Sequence, residues 1–183
     1  MEKDFEKASI RKIAEASGTS KSNIYNYFKN KDDLFCSVLM PTMNTVNKAI
    51  QHKNGEYADG IKQEYNLESQ KKIIEIIMSY VFQNKDDFIL LLFKSGGSSY
   101  ESFRDKIKYL YTDIMLNWLS ISYPDKDISR FFVEAVADFY INTISQLINK
   151  EITMVEIEQY FNEFLFFVYG GWNRILRDGE RYE

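Results

Sequence analysis

The sequence predicts an all-α fold, with a short helix-turn-helix unit ahead of a larger antiparallel helical bundle. Three observations predict it. Apolar residues recur at i, i+3, i+4 and i+7 through most of the chain. Chain breakers are scarce: 2 Pro and 8 Gly in 183 residues are too few for an all-β protein built on tight turns. A composition 45% apolar and 27% charged allows a buried core and argues against disorder.

Each element has its own signals. Ser9 can cap a helix in which Ile10, Ile13, Ala14 and Ser17 share one face, and Gly18 stops it. Ser20 can cap a second short helix through about Phe28. Asn30 can cap a third, with Asp32 and Asp33 in its first turn, where carboxylates favour the dipole. That helix runs past residue 45, and Pro41 inside it should kink it, because proline removes a backbone donor. Residues 53–65 read as a loop or frayed helix end. Helical stretches follow at 67–83, 86–94, 100–120, 126–149 and 153–177. Gly96-Gly97-Ser98-Ser99 closes the second of these, and Pro124 follows the third. The chain is expected to divide at residue 46, with no flexible linker.

Several classes of function are excluded. One Cys (Cys36) and one His (His52) cannot build a disulfide framework, a Cys/His zinc site or a catalytic triad. His52 has no acidic residue three positions before it, so the Glu-x-x-His pattern of a di-metal bundle is missing. Gly96-Gly97 lacks the Lys and spacing of a phosphate-cradling loop. No catalytic residue, metal or cofactor is expected. Apolar runs such as Phe88 to Phe93 fall far short of the ~20 residues that span a bilayer, and no signal-type segment opens the chain. A cytoplasmic protein without membrane contact is expected.

Charge is unevenly placed. The whole chain carries −4, but residues 7–31 hold Lys7, Arg11, Lys12, Lys21, Lys29 and Lys31 against Glu15 alone, a local +5. On a wheel of about 100° per residue, Ile24 and Phe28 of the second helix face a core, while Ser22, Asn23, Tyr25 and Asn26 face outward. A plain surface helix would show Glu and Lys in i, i+4 pairs. A face of short hydrogen-bonding groups without carboxylates suits phosphates and base edges.

The stretch Ile10-Arg-Lys-Ile-Ala-Glu-Ala-Ser-Gly-Thr-Ser-Lys-Ser-Asn-Ile-Tyr-Asn-Tyr-Phe-Lys-Asn-Lys-Asp-Asp-Leu34 closely resembles the DNA-binding signature of the tetracycline-repressor (TetR) family. Ile13-Ala14, Gly18, Ser20, Tyr25-x-Tyr27-Phe28 and Asn30-Lys31 ahead of an acidic pair carry the match. The resemblance implies that Lys21, Ser22 and Asn23 face bases, with Asn26 on the same outward face. It implies that Tyr25, Tyr27 and Lys31 meet the DNA backbone, and that Arg11 can reach DNA. For Tyr27, packing against the third helix and phosphate contact both remain open. Ile13, Ala14, Ile24 and Phe28 read as core. In the family another helix precedes this pair. Met1-Glu-Lys-Asp-Phe5 reads as its end, so either the natural reading frame extends upstream or the DNA-binding unit is incomplete.

The remainder carries no family signature. Tyr80, Phe88, Phe93, Tyr109, Tyr111, Trp118, Phe131 and Phe132 could line a cavity for a small-molecule effector, or simply fill a core. The last two helices are apolar over more than one stripe, whereas a helix buried on one side needs one. Phe139, Ile144, Phe161, Phe164, Val168 and Trp172 are the expected homodimer interface. Gly170-Gly171 costs roughly 1 kcal/mol per glycine against alanine, so either a crossing helix approaches closely there or the helix breaks. The expected function is a ligand-responsive regulator, a repressor, that binds a near-palindromic double-stranded DNA operator as a homodimer. The alternative is a helical small-molecule-binding or interaction protein without competent DNA binding.

Overall fold

A computed structural model describes residues 4–58, 64–150 and 153–177. The described residues form helices joined by turns and short connections, without strands. After a 3-10 turn at Phe5–Lys7 come α1 (Ile10–Ala16), α2 (Lys21–Tyr27), α3 (Lys31–Ala58), α4 (Leu67–Gln83) and α5 (Lys85–Ile89). A π turn at Leu90–Lys94 continues α5. Then follow α6 (Phe103–Ser122), α7 (Arg130–Asn149) and α8 (Met154–Arg177).

The caps explain these boundaries. Ser9, Ser20 and Ser129 each accept a backbone N–H from the first turn of their helix. Asn30 Oδ1 accepts Asp33 N–H at 2.8 Å, and Asp33 returns the bond to Lys29 N–H at 2.8 Å. Thr153 and Glu156 form a reciprocal capping box for α8, and those bonds hold the Glu156 carboxyl below its ordinary range. Helix α7 starts at Arg130 rather than 126 because Ser129 caps it. Helix α6 starts at Phe103 rather than 100 because residues 95–103 are taken up by successive tight turns.

Other expectations are also adjusted. The helix α3 runs unbroken through Pro41 to Ala58, so residues 53–58 of the expected loop or frayed helix end are helical; residues 59–63 lie outside the described residues. The segment read as one helix over 86–94 is an α turn followed by a π turn. The helix end expected at Met1–Phe5 falls partly outside the described residues, and from Phe5 the backbone makes a 3-10 turn. Helix α8 does not break at Gly170-Gly171. A Cβ at either glycine would meet nothing within 4 Å, so no described helix of the chain approaches there.

The chain divides into two compact units. The first is Met1–His52 with Asn84–Ile107, and the second is Lys53–Gln83 with Lys108–Glu183. A segment remote in sequence therefore folds with the N-terminal helices. In the first unit Ile10, Ala14 and Ile24 are buried together, with Ile13, Phe28 and Leu34 against them. Phe5 is buried beside Phe35, ring centroids 5.1 Å apart, and Phe35 reaches Tyr100. Thr42, fully buried, donates to Asp87. Asp32 accepts the Ser99 backbone N–H at 2.8 Å and the Ser99 hydroxyl. Asp4 pairs with Lys94 at 3.4 Å. Gly97 sits at φ 78°, left-handed, and a Cβ there would come within 2.9 Å of Glu6 Cγ.

The second unit has an aromatic core. Tyr65, Trp118, Leu119, Val133, Val168, Trp172 and Leu176 are buried together. Tyr65 stacks on Tyr169 at 5.3 Å and donates its backbone N–H to Tyr123 Oη at 2.9 Å. Trp172 Nε1 donates to Tyr140 Oη at 3.2 Å, which satisfies its indole inside the core. Burial pushes the Tyr65 and Tyr140 phenols well up.

The Ser99 bonds lower the Asp32 carboxyl below its ordinary 3.8. A depressed carboxylate contributes stability above its unfolded value and loses it as pH falls through the folded one. Ser99→Ala should therefore destabilise the chain at pH 6, and the gap to wild type should shrink below about pH 4. Urea denaturation of both proteins across pH 6 to 3 measures this; a gap independent of pH would remove the role given to this bond.

Candidate nucleic-acid interface

The interface is built by a turn. Helix α1 ends in a Schellman motif: Thr19 N–H bonds Ala14 C=O at 3.0 Å and Gly18 N–H bonds Glu15 C=O at 3.3 Å. Gly18 takes φ 64°, which costs glycine nothing and a side-chain-bearing residue about 1 kcal/mol or more. Two residues later Ser20 caps α2. The apolar contact of Ile10, Ala14 and Ile24 then fixes the crossing of the two helices, and α2 is left with one face free.

That free face is the one the wheel predicts. Lys21, Ser22, Asn23, Tyr25 and Asn26 are all exposed, and α2 carries no carboxylate. Asn23 donates its side-chain amide to Thr19 Oγ1 at 2.9 Å, which orients its remaining donor and acceptor outward from a fixed position. Lys21 Nζ lies 5.7 Å from the Tyr25 ring centroid. Tyr27 is 75% exposed, so the packing reading for it does not hold; its ring only flanks Phe28. Arg11 is exposed on α1, where it pairs with Glu15 at 2.9 Å. In water such an exposed pair is worth at most ~1 kcal/mol, so a phosphate can displace Glu15 readily.

Lys31 is placed differently from the others. Its ammonium donates to Phe5 C=O at 2.7 Å and Ala8 C=O at 3.1 Å, and sits 4.1 Å from the Phe5 ring centroid. The sequence gives no sign of this, because the partners are backbone carbonyls 26 and 23 residues away. Lys31 is thus a strut that fixes the segment before α1, whatever else it touches.

The remaining candidate residues are dispersed. Phe88 and Phe93 belong to the first unit, whereas Tyr80, Tyr109, Trp118 and Phe132 belong to the second. Phe88 and Trp118 are core residues. Of the expected dimer patch, Val168 and Trp172 are buried in the chain's own core, and Phe161 lines a groove beside α4. Phe139 is exposed, with Phe164 and Phe167 rings at 5.4 and 6.1 Å. Phe166 and Phe167, 63% and 72% exposed, were not among the residues expected there. Among the described residues no acidic or Cys/His group could hold a metal.

The family model described as "Bacterial regulatory proteins, tetR family" matches residues 1–38. No curated protein and no solved structure matches the chain. The matched residues contain α1, the Gly18 turn, α2 and the start of α3, which together form the helix-turn-helix.

Two substitutions separate the roles on this face. Asn23→Ala should change preference at one base position by ~1–3 kcal/mol. Lys31→Ala should weaken all duplexes alike. If its ammonium also meets phosphate, the slope of log K against log salt should fall by about 1. An unchanged slope together with weaker binding assigns Lys31 to the strut alone.

Proposed function

We propose that this chain, whose first 38 residues are a tetR-family DNA-binding module, is a ligand-responsive transcriptional regulator acting as a homodimeric repressor. DNA binding and transcription regulation follow from the module itself. The repressor role, the effector, the dimer and the operator are our reading. The DNA-binding part of the reading rests on the carboxylate-free outward face of α2, which follows the Gly18 turn. Residues 1–46 carry the DNA contacts, and residues 47–183 supply ligand binding and dimerisation. Asn84–Ile107 packs with the former.

The dimer is supported by surplus apolar surface on α7 and α8. Phe131, Phe132, Phe139, Phe166 and Phe167 stay exposed after the chain has buried its own core. Large apolar side chains left exposed on two neighbouring helices are the material of an association site, and a second copy of the same helices is the simplest complement under two-fold symmetry. Two α2 helices must then reach successive major-groove turns, with half-site centres ~34 Å apart. An effector that favours another spacing lowers operator affinity by population shift. Among the described residues no helix is long and apolar enough to cross a membrane.

Selection from a random duplex library should return a near-palindrome, and sedimentation at micromolar concentration should give twice the 21.7 kDa chain mass. Phe167→Glu, at an exposed position, should split the dimer and reduce operator affinity together, with the fold intact by circular dichroism. A monomeric wild type, or a monomeric variant that still binds the full operator tightly, would refute the dimeric reading.

A further inference from the structure

Within the second unit a groove of about 400 Å³ runs between α4 and α8. That volume is in the range of small-molecule sites, ~300–1,000 Å³. Its floor is apolar: Ile74, Met78 and Phe82 stand at i, i+4 and i+8 on α4, opposite Phe161 and Leu165 of α8. None of the aromatic residues expected to line an effector cavity takes part. From Lys71 to Phe82 the groove follows α4 for roughly 16 Å at ~1.5 Å per residue, so it suits an elongated body. Met78, buried and unbranched, adapts its shape to such a body.

The rim carries a sign. Lys71 is already paired with Glu75 at 3.9 Å. Glu158 also lines the groove and has no ion-pair partner among the described residues. The lining therefore carries one net negative charge, in a groove that Phe82 and Phe161 also line. A carboxylate together with aromatic faces is the chemistry that holds an organic cation, quaternary ammonium included. An anion would meet two carboxylates, Glu75 and Glu158, against Lys71 alone.

We infer that the α4–α8 groove binds an elongated amphiphile with an apolar body and a single positive charge. This names the effector class of the proposed regulator, and rests on that reading only for the consequence at DNA. Titration of the full chain with decyltrimethylammonium, decanoate and decanol, each below self-association, tests it by calorimetry. The cation should bind at least about tenfold more tightly than the anion, with decanol between them. Glu158→Gln should cost the cation about two- to fivefold, the worth of one exposed charge pair. It should leave decanol unchanged. Ser79→Trp, at an exposed rim position, should block all three without altering the melting temperature. No binding, equal or tighter binding of decanoate, or full binding by the Ser79→Trp protein overturns the inference. Binding that follows the expected order while operator affinity stays constant upholds the site and refutes ligand-responsive regulation.

Discussion

Four consecutive residues at the start of α3 hold the first unit together. Asn30 caps the helix, Lys31 grips the carbonyls of Phe5 and Ala8, Asp32 binds Ser99, and Asp33 closes the cap onto Lys29. Asn30 and Asp33 close the local cap, while Lys31 and Asp32 reach two different remote pieces of chain. The helix-turn-helix is small, and its own apolar contacts are few: Ile10, Ala14 and Ile24 with three partly buried neighbours. At ~25 cal/mol per Å² such a cluster leaves little margin. Order in the recognition helix therefore depends on α3 being anchored on both sides, to the N-terminal turn and to the segment that returns after α5.

The geometry of α2 follows from this anchoring. A recognition helix works only if its side chains are offered at a fixed height and rotation over the groove. Here the left-handed Gly18 sets the direction in which α2 leaves α1, the buried Ile24 sets its rotation, and the Asn23–Thr19 bond sets one side chain on its outer face. Under the proposed function, the local basic charge supplies attraction without regard to sequence, and the neutral face of Ser22, Asn23 and Asn26 is left to read bases.

How legible this was in the sequence depends on the range of each interaction. The caps at Ser9, Ser20 and Asn30, the stop at Gly18 and the buried side of α2 were readable, because each is decided within one or two turns of helix. The association of Asn84–Ile107 with the N-terminal helices was not. It rests on Thr42–Asp87, Asp32–Ser99 and Phe35–Tyr100, pairs separated by 45 residues or more, which leave no periodic trace. Apolar character alone also failed to tell core from surface on α8. Trp172 lies in the core and Phe167 is exposed although both are large and apolar, because their turn toward α7 and α6 depends on a crossing the pattern does not encode. The groove escaped notice because its lining mixes Lys and Glu with aliphatic residues, and only the pairing of α4 with α8 brings them together.

The discontinuous first unit bears on how such proteins exchange parts. In a regulator whose reading head were a self-contained bead, evolution or an engineer could graft residues 1–46 onto another body and keep both functions. Here a graft would carry away Asp32, Phe35 and Thr42 and leave behind Ser99, Tyr100 and Asp87. A chimera would keep its recognition residues and lose the framework that aims them. The seam suited to exchange therefore consists of three cuts, near residues 52, 83 and 107, so that the interleaved segment travels with the head it supports.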